Sequence, residues 1–362
     1  MLDAWFLENK RPFPWRENPT PYRVWVSEVM LQQTRAQVVI AYFERWMELF
    51  PTIQDLAVSP IEQVIKVWEG LGYYSRARNL HAGARQVVQE YGGELPNTKE
   101  ALLSIRGLGP YTVAAILSFG FKQRAAAVDG NVMRVISRVA WIDEDIGKIS
   151  GKRRIENFAN EFLSEDRPWV TAEALIELGA TICTPVPKCS ECPLNGSCLA
   201  HLKGYPTALP IKAFGPKVEK IVRGVAVVEA LGQILVRKNP SGQLMGDLWE
   251  FPYFAEKNSS LSVKKELRRM LGIEAEFVRQ MEVVTHSFTR FSAKLFPFYF
   301  KTLNLKEVDG YSWVSRDSLA QLPFSSGHRK IMDRIGLYAN THFPKLSFLR
   351  FLACEDSRNS KF

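Results

Sequence analysis

The tightest constraint on this chain is a sharp reversal near its middle. Residues 102–133 read LLSIRGLGPYTVAAILSFGFKQRAAAVDGNVM. Two stretches of helical periodicity are separated only by Gly107-Leu108-Gly109, so two helices must fold back on each other within three residues. Pro110 opens the second helix, where its missing N–H is not needed and its fixed φ suits the first turn. Val113, Ile116 and Leu117 recur at helical spacing and predict a buried stripe. The glycines leave backbone N–H groups uncovered at a helix N-terminus, a place suited to phosphate, although an ordinary αα-hairpin has the same signature. The same stretch ends in Val128-Asp129-Gly130-Asn131-Val132. A carboxylate in a Gly/Asn turn ahead of an apolar run reads first as a helix N-cap.

Length and charge narrow the rest. With 362 residues, two domains are expected, each large enough for a core. No apolar run reaches membrane-spanning length. The N-terminus, MLDAWFLENK, lacks the basic, apolar and cleavage regions of a signal peptide, so a cytoplasmic protein is expected. A formal charge of +9 favours a polyanionic partner. Of five cysteines, Cys354 stands alone, and Cys183, Cys189, Cys192 and Cys198 form C-x5-C-x2-C-x5-C. Clustered thiols in such a chain suggest a metal, and their spacing leaves both zinc and an iron–sulfur cluster open.

In chain order, Arg11-Pro-Phe-Pro-Trp15-Arg16 predicts an extended lead-in. Pro21 opens a helix expected through about Arg35. Glu28 lies on it beside Val24, Trp25, Leu31 and Gln32, neighbours that would desolvate the carboxyl and raise its pKa; the plainer alternative is a solvent-facing glutamate. Gln32-Gln33-Thr34 on that helix could read a base edge or form only a surface turn. Helices are expected over 36–50 and 60–70. Gly70-Leu-Gly-Tyr73-Tyr74-Ser-Arg76-Ala-Arg78 follows, where tyrosines suit stacking on bases and arginines suit phosphates. Further helices are expected at 81–91, 132–141, 155–164 and 170–182, with a basic turn at Lys152-Arg153-Arg154. A Pro/Gly/Lys-rich linker spans 203–221. Beyond it the pattern becomes α+β, with strands at 221–228, 234–237, 277–284 and 291–300 and a helix at 261–271 ending at Gly272.

Taken in order, SEVMLQQT (27–34), GLGYYSRARNL (70–80), GLGPYT (107–112), VDGNVMRV (128–135), EALIELGA (173–180) and the cysteine loop resemble the MutY-type adenine DNA glycosylases of the endonuclease III superfamily. The resemblance covers residues 1 to about 335. It implies an all-α helix-hairpin-helix glycosylase domain over 1–202, built from a six-helix module and a cluster module drawn from the N-terminus and 142–202. A linker (203–221), an α+β Nudix-like (MutT-like) domain over 222–340 and a tail of no assigned role (341–362) follow. It implies excision of adenine opposite 8-oxoguanine or guanine in duplex DNA, which requires the base to leave the stack. Glu28 matches the general acid and Asp129 the carboxylate that stabilises the sugar cation. Trp15, Glu173 and Tyr111 match the adenine pocket. Leu31, Gln32, Gln33, Tyr73 and Arg76 match residues that enter or contact the duplex, and Gly107 and Gly109 match the phosphate-holding hairpin. The cysteines match a 4Fe–4S loop, with a first gap of five residues where six is usual; Pro185 and Pro187 can set that shorter path.

Lyase-active relatives carry a lysine where this chain has Tyr111, which cannot form a Schiff base, so a monofunctional enzyme is expected. The Nudix metal box is degraded: in Lys264-Lys-Glu-Leu-Arg-Arg-Met-Leu-Gly272, Arg and Met stand where carboxylates should, and Mg²⁺-dependent pyrophosphate hydrolysis is not expected. Phe288-Thr289-Arg290 aligns with the family's Phe-Ser-His reader of the damaged base. The expected state is a monomer, without membrane contact, associated with the nucleoid through DNA. The alternatives are a bifunctional glycosylase/lyase of the same fold, a non-catalytic iron–sulfur DNA-binding protein and a nucleotide-pool hydrolase.

Overall fold

The structure is a computed structural model and describes residues 1–212, 218–240, 245–288 and 291–335. Two units divide the chain, Met1–Val218 and a second that begins at Glu219.

Among the described residues, the first unit is built of helices and carries no strand. Its central helix, Pro21–Leu31, starts at Thr20, whose side chain accepts from the Arg23 N–H, with Pro21 in the first turn. Every residue from Tyr22 to Met30 except Arg23 is buried, so this helix is surrounded. Around it lie Ala36–Leu49, Ile61–Val67 and Ser75–Tyr91, packed through Trp46, whose ring meets Phe50 at 4.9 Å and Trp68 at 5.5 Å edge-on. The hairpin joins Lys99–Ser104 to Pro110–Ala115, and the second helix runs on as a wider turn over Ile116–Gly120. Val113, Ile116 and Leu117 are all buried, the stripe their spacing predicts. Gly107 sits at φ +87°, and a Cβ there would lie 2.6 Å from Cβ of Asn79, so both the turn and the close approach require glycine.

A second core joins the N-terminal helix Leu2–Asn9 to Gly130–Val139, Ile149–Phe162 and Pro168–Thr181 through Phe6, Val135, Ile136, Ile155, Leu175 and Leu178.

Several local expectations are corrected. The helix expected through Arg35 stops at Leu31, leaving Gln32, Gln33 and Thr34 outside it. Residues Pro14–Glu17 make a helical turn rather than an extended lead-in, because Pro14 can start a helix as well as break one. Lys152-Arg153-Arg154 lies inside Ile149–Phe162, not in a turn. The stretch expected as linker is in part docked on the first unit: Arg138 Nε donates to the Leu209 carbonyl (3.0 Å) and the Ile146 N–H to the Ile211 carbonyl (2.9 Å).

In the second unit, Glu219–Ala230 and Phe291–Lys301 pair in parallel from Glu219 opposite Phe291 to Glu229 opposite Lys301. The side-chain period of two then sorts the core. Val225 and Val227 face Ile331 and Met332 of the helix Ser326–Arg334, whereas Ala226 and Val228 face Val263 and Leu267 on the other side. The run expected at 277–284 is two strands, Glu276–Gln280 and Val284–Phe288, both antiparallel to Phe291–Lys301. Short strands at Trp249–Glu250, Tyr253–Ala255 and Ser312–Ser315 were too brief to carry a sequence signal. No helix among the described residues is long and apolar enough to cross a membrane. Cys354 and the tail lie outside the described residues, as do Thr289 and Arg290.

Candidate active site

A cleft of about 830 Å³ opens in the first unit. It brings together Trp15, Glu28, Leu31, Gln32, Gln33, Tyr111, Asp129 and Glu173, residues spread over 159 positions of sequence (15 to 173). Tyr73, Arg76, Gly107 and Gly109 do not line it.

Glu28 sits at its floor, 7% exposed, so the solvent-facing alternative is excluded. The Tyr111 hydroxyl donates to Glu28 Oε2 at 2.6 Å. Burial pushes the Glu28 carboxyl up to about 7; the Tyr111 hydrogen bond and Arg16 pull it down, while the negative charges of Asp129 and Glu173 push the same way as burial. A carboxylic acid that still holds its proton near neutrality is thus aimed into the cleft. Tyr111, itself pushed well above its ordinary value by burial, stays protonated as the donor.

Asp129 is the N-cap its sequence suggests, and it lines the cleft as well. Its Oδ1 accepts from the N–H groups of Asn131 (2.9 Å) and Val132 (2.8 Å), and Oδ2 accepts from Asn131 Nδ2 (2.7 Å). Burial raises its pKa while these donors draw it back. Arg134 Nη2 holds Asn131 in place by donating to its Oδ1 at 2.8 Å. Gly179 lets the helix Pro168–Thr181 pass close by: a Cβ there would stand 2.6 Å from Cβ of Asn131.

One wall of the cleft escaped the sequence reading. Arg16 donates to Glu173 Oε1 (2.6 Å) and Glu177 Oε2 (2.9 Å), and Arg11 Nε to Glu177 Oε1 (2.6 Å). Arg16 lies against the rings of Phe6 and Phe13, and Phe13 stacks on Trp15 at 4.7 Å. The R-P-F-P-W-R signal was visible, but its acidic partners lie more than 150 positions away.

Arg76 requires correction. The resemblance places it against the duplex, yet it is buried, its two terminal nitrogens are used within the protein, and its Nε has no hydrogen-bond partner. Nη1 donates to the carbonyls of Val29, Met30 and Gln32, and Nη2 to those of Leu71 and Gly72 and to Thr34 Oγ1. Desolvation lowers its pKa to about 10. Gln33 and Tyr73, on either side of it, are exposed and have φ of +57° and +48°.

Cys183, Cys189, Cys192 and Cys198 line one small cavity in the same unit and are not disulfide-bonded. Among the described residues, no three His, Cys, Asp or Glu groups stand at metal-binding separation. Burial and the neighbouring sulfurs push the Cys192 thiol up to about 11 and raise Cys189 too. Holding Cys189 and Cys192 as thiolates here would call for a cationic centre, which is what a soft-metal donor set accepts. Two arginines of Gly130–Val139 grip the loop: Arg134 donates to the Cys183 carbonyl (2.7 Å), and Arg138 to the Thr184 and Pro185 carbonyls and to Cys183 Sγ (3.3 Å).

In the second unit, the helix over the degraded box offers ion pairs, not a carboxylate cluster. Glu266 is paired with Arg269 (2.7 Å) and Lys257 (3.5 Å), and Arg268 with Glu274 (2.7 Å).

Comparisons with known proteins agree with this division. Residues 26–164 match the HhH-GPD superfamily of base excision DNA repair proteins, and residues 224–334 match the NUDIX domain. A Buchnera aphidicola adenine DNA glycosylase is 32% identical over 268 residues, covering 70% of this chain and 72% of that protein. The chain belongs to the adenine DNA glycosylase family. The human adenine DNA glycosylase is 36% identical over 348 residues, covering 80% of this chain but 64% of the human protein's length. Among solved structures, a thermostable thymine-DNA glycosylase matches at TM-score 0.50 and 28% identity, over 56% of this chain and 94% of that one. In the adenine DNA glycosylase family frame, the helical unit is the glycosylase fold and the sheet unit the Nudix-like addition.

Proposed function

We propose that this protein removes adenine opposite 8-oxoguanine or guanine in duplex DNA by hydrolysing its N-glycosidic bond, and does not cut the strand. The observation that carries the proposal is Glu28, a buried carboxyl with a pKa of about 7 at the floor of the cleft that Asp129 also lines. Glu28 delivers a proton to a ring nitrogen of the departing base, which makes adenine a neutral leaving group. Asp129, fixed by three donors, faces the positive charge that develops on the sugar. Two carboxylates divide the work between acid and charge stabiliser, as in sugar hydrolysis. Trp15 supplies a flat wall and Glu173, ion-paired to Arg16, a polar edge for the extruded base. Gln33 and Tyr73 enter the duplex, and the backbone N–H groups of the Gly107–Gly109 turn hold phosphate. Tyr111 holds Glu28 and offers no amine for a Schiff base.

Cys183, Cys189, Cys192 and Cys198 would hold a 4Fe–4S cluster, whose contribution is structural, because base excision transfers no electrons. The sheet unit would read the damaged partner base. Phe288 ends the strand Val284–Phe288, and Thr289 and Arg290 come next in the chain.

Single-turnover cleavage of duplexes with adenine opposite 8-oxoguanine, guanine or thymine, with and without alkali, tests this reading. Alkali-dependent cleavage of the first two, lost in Glu28→Gln, is expected. Cleavage without alkali would reverse the assignment of a monofunctional enzyme, and no cleavage by the metal-loaded protein would reduce it to a DNA-binding protein.

A further inference from the structure

Arg76 is buried against carbonyl groups from two separate turns, and none of the acceptors of its N–H groups is a carboxylate. An arginine kept charged in such a place costs free energy unless its donors are satisfied; here carbonyl dipoles satisfy the two terminal nitrogens, and Nε alone has no acceptor. Three of these carbonyls, from Val29, Met30 and Gln32, lie at the end of the helix Pro21–Leu31, where the backbone's negative pole makes a cation favourable. Two more, from Leu71 and Gly72, belong to the turn before Ser75–Tyr91. The Trp68 ring lies 5.2 Å from the guanidinium, and its Nε1 donates to the Gly72 carbonyl at 3.1 Å. Each turn carries one exposed residue in the left-handed region, Gln33 and Tyr73. For residues with a Cβ this conformation is strained and persists only when its surroundings over-determine it.

We propose that Arg76 is a positioning residue: it ties the Gln33 and Tyr73 turns into one rigid lip, so that they enter a duplex together while the base leaves the stack. The inference rests on the functional reading above. It assigns Arg76 no contact with DNA. Lysine cannot take its place, since one ammonium cannot span carbonyls from two turns as a planar fork does. Glu28 lies one residue before Val29, so Arg76 could instead act on the acid, and the test must separate the two roles.

Stopped-flow fluorescence on the full-length protein, with 2-aminopurine in place of the target adenine, reports unstacking directly. Arg76→Lys should slow unstacking about tenfold or more, with its melting transition still cooperative. Mismatching the base pairs beside the target should restore its cleavage to within about threefold of the native protein, because the stack is then already open. The pH at which cleavage falls should stay in place, and in Arg76→Gln, which removes the charge, the salt dependence of duplex binding should keep its slope, as no phosphate contact is lost. Should Arg76→Lys not fold, Thr34→Val removes one acceptor of Arg76, along with the longer bond from Thr34 Oγ1 to the Gln32 carbonyl (3.5 Å), and should slow unstacking measurably. Unstacking at the native rate in the folded variant, no rescue by the opened duplex, or a salt slope reduced by about one would each overturn the proposal. Absence of a fluorescence change in the native protein would instead sink the base-excision reading itself.

Discussion

Glu28 and Glu177 line the same cleft, 7% and 1% exposed. Their protonation differs nonetheless. Glu28 has one neutral hydrogen-bond donor and two acidic neighbours, and burial carries its pKa to about 7. Glu177 has Arg11 and Arg16 on its oxygens, and they hold it below the ordinary carboxylate range despite the opposing effect of burial. Burial alone therefore does not decide which carboxylate keeps a proton; the presence of a paired guanidinium does. In this cleft Glu177, in the wall, is held as a carboxylate by its arginines, while Glu28, at the floor, keeps a proton near neutrality.

The sharpest way to break this contrast is at the floor. Glu28→Gln should lower single-turnover adenine release by about 10²- to 10⁴-fold, the usual range for a lost general acid. A smaller loss would mean the proton comes from elsewhere. At the wall, Arg16→Met leaves Glu177 with one partner and Glu173 with none from Arg16; the expected cost is about 3–5 kcal/mol in urea unfolding near neutral pH. That deficit should shrink as acid protonates the stranded carboxylates.

The third prediction concerns stability against pH. Between the unfolded value near 4.5 and the folded value of about 7, the native state holds a proton on Glu28 that the unfolded chain has released. Stability from this group is present at low pH and is lost as pH rises through 7, on the order of 3 kcal/mol. Glu28→Gln should remove this term, so its stability relative to the native protein should improve from pH 5 to pH 8. Glu177 works in the opposite direction, with stability lost as pH falls through its lowered pKa. The smallest expected effect is that of Tyr111→Phe. It deletes the hydrogen bond that lowers the Glu28 pKa, so the alkaline fall in cleavage should move to higher pH. A shift to lower pH would show that the hydroxyl favours the protonated acid.

Much of the floor was legible in the sequence because the signals are local. Val24, Trp25 and Leu31 lie one turn from Glu28, and Gly130 and Asn131 follow Asp129 directly. The arginine wall was not legible, because Arg11 and Arg16 meet Glu177 across more than 160 positions and only the fold joins them. Arg76 was misread for a different reason. Beside paired tyrosines an arginine reads as a surface group, but helical spacing held the contrary signal. Leu80, Ala84 and Val87 continue a buried face on which Arg76 falls one turn earlier. In the sheet unit, the two long strands were readable as strands but their parallel pairing was not, and strands of two to four residues left no signal.

The helix Gly130–Val139 touches both places where chemistry is assigned. Asp129 closes one end of it, and Arg134 and Arg138 farther along are bonded to the cysteine loop. With ten residues it is about 15 Å long, a stiff strut with little give along its axis. Asp129 therefore has its bearing in the thiol loop as well as in the cleft. A loop loosened by oxidation of its sulfurs would take from the strut its polar ties to the Cys183 and Thr184 carbonyls, leaving it held by the apolar packing of Val132, Val135 and Ile136. The carboxylate would lose its aim while most of the protein remained folded, and such damage would register as lost turnover ahead of lost structure.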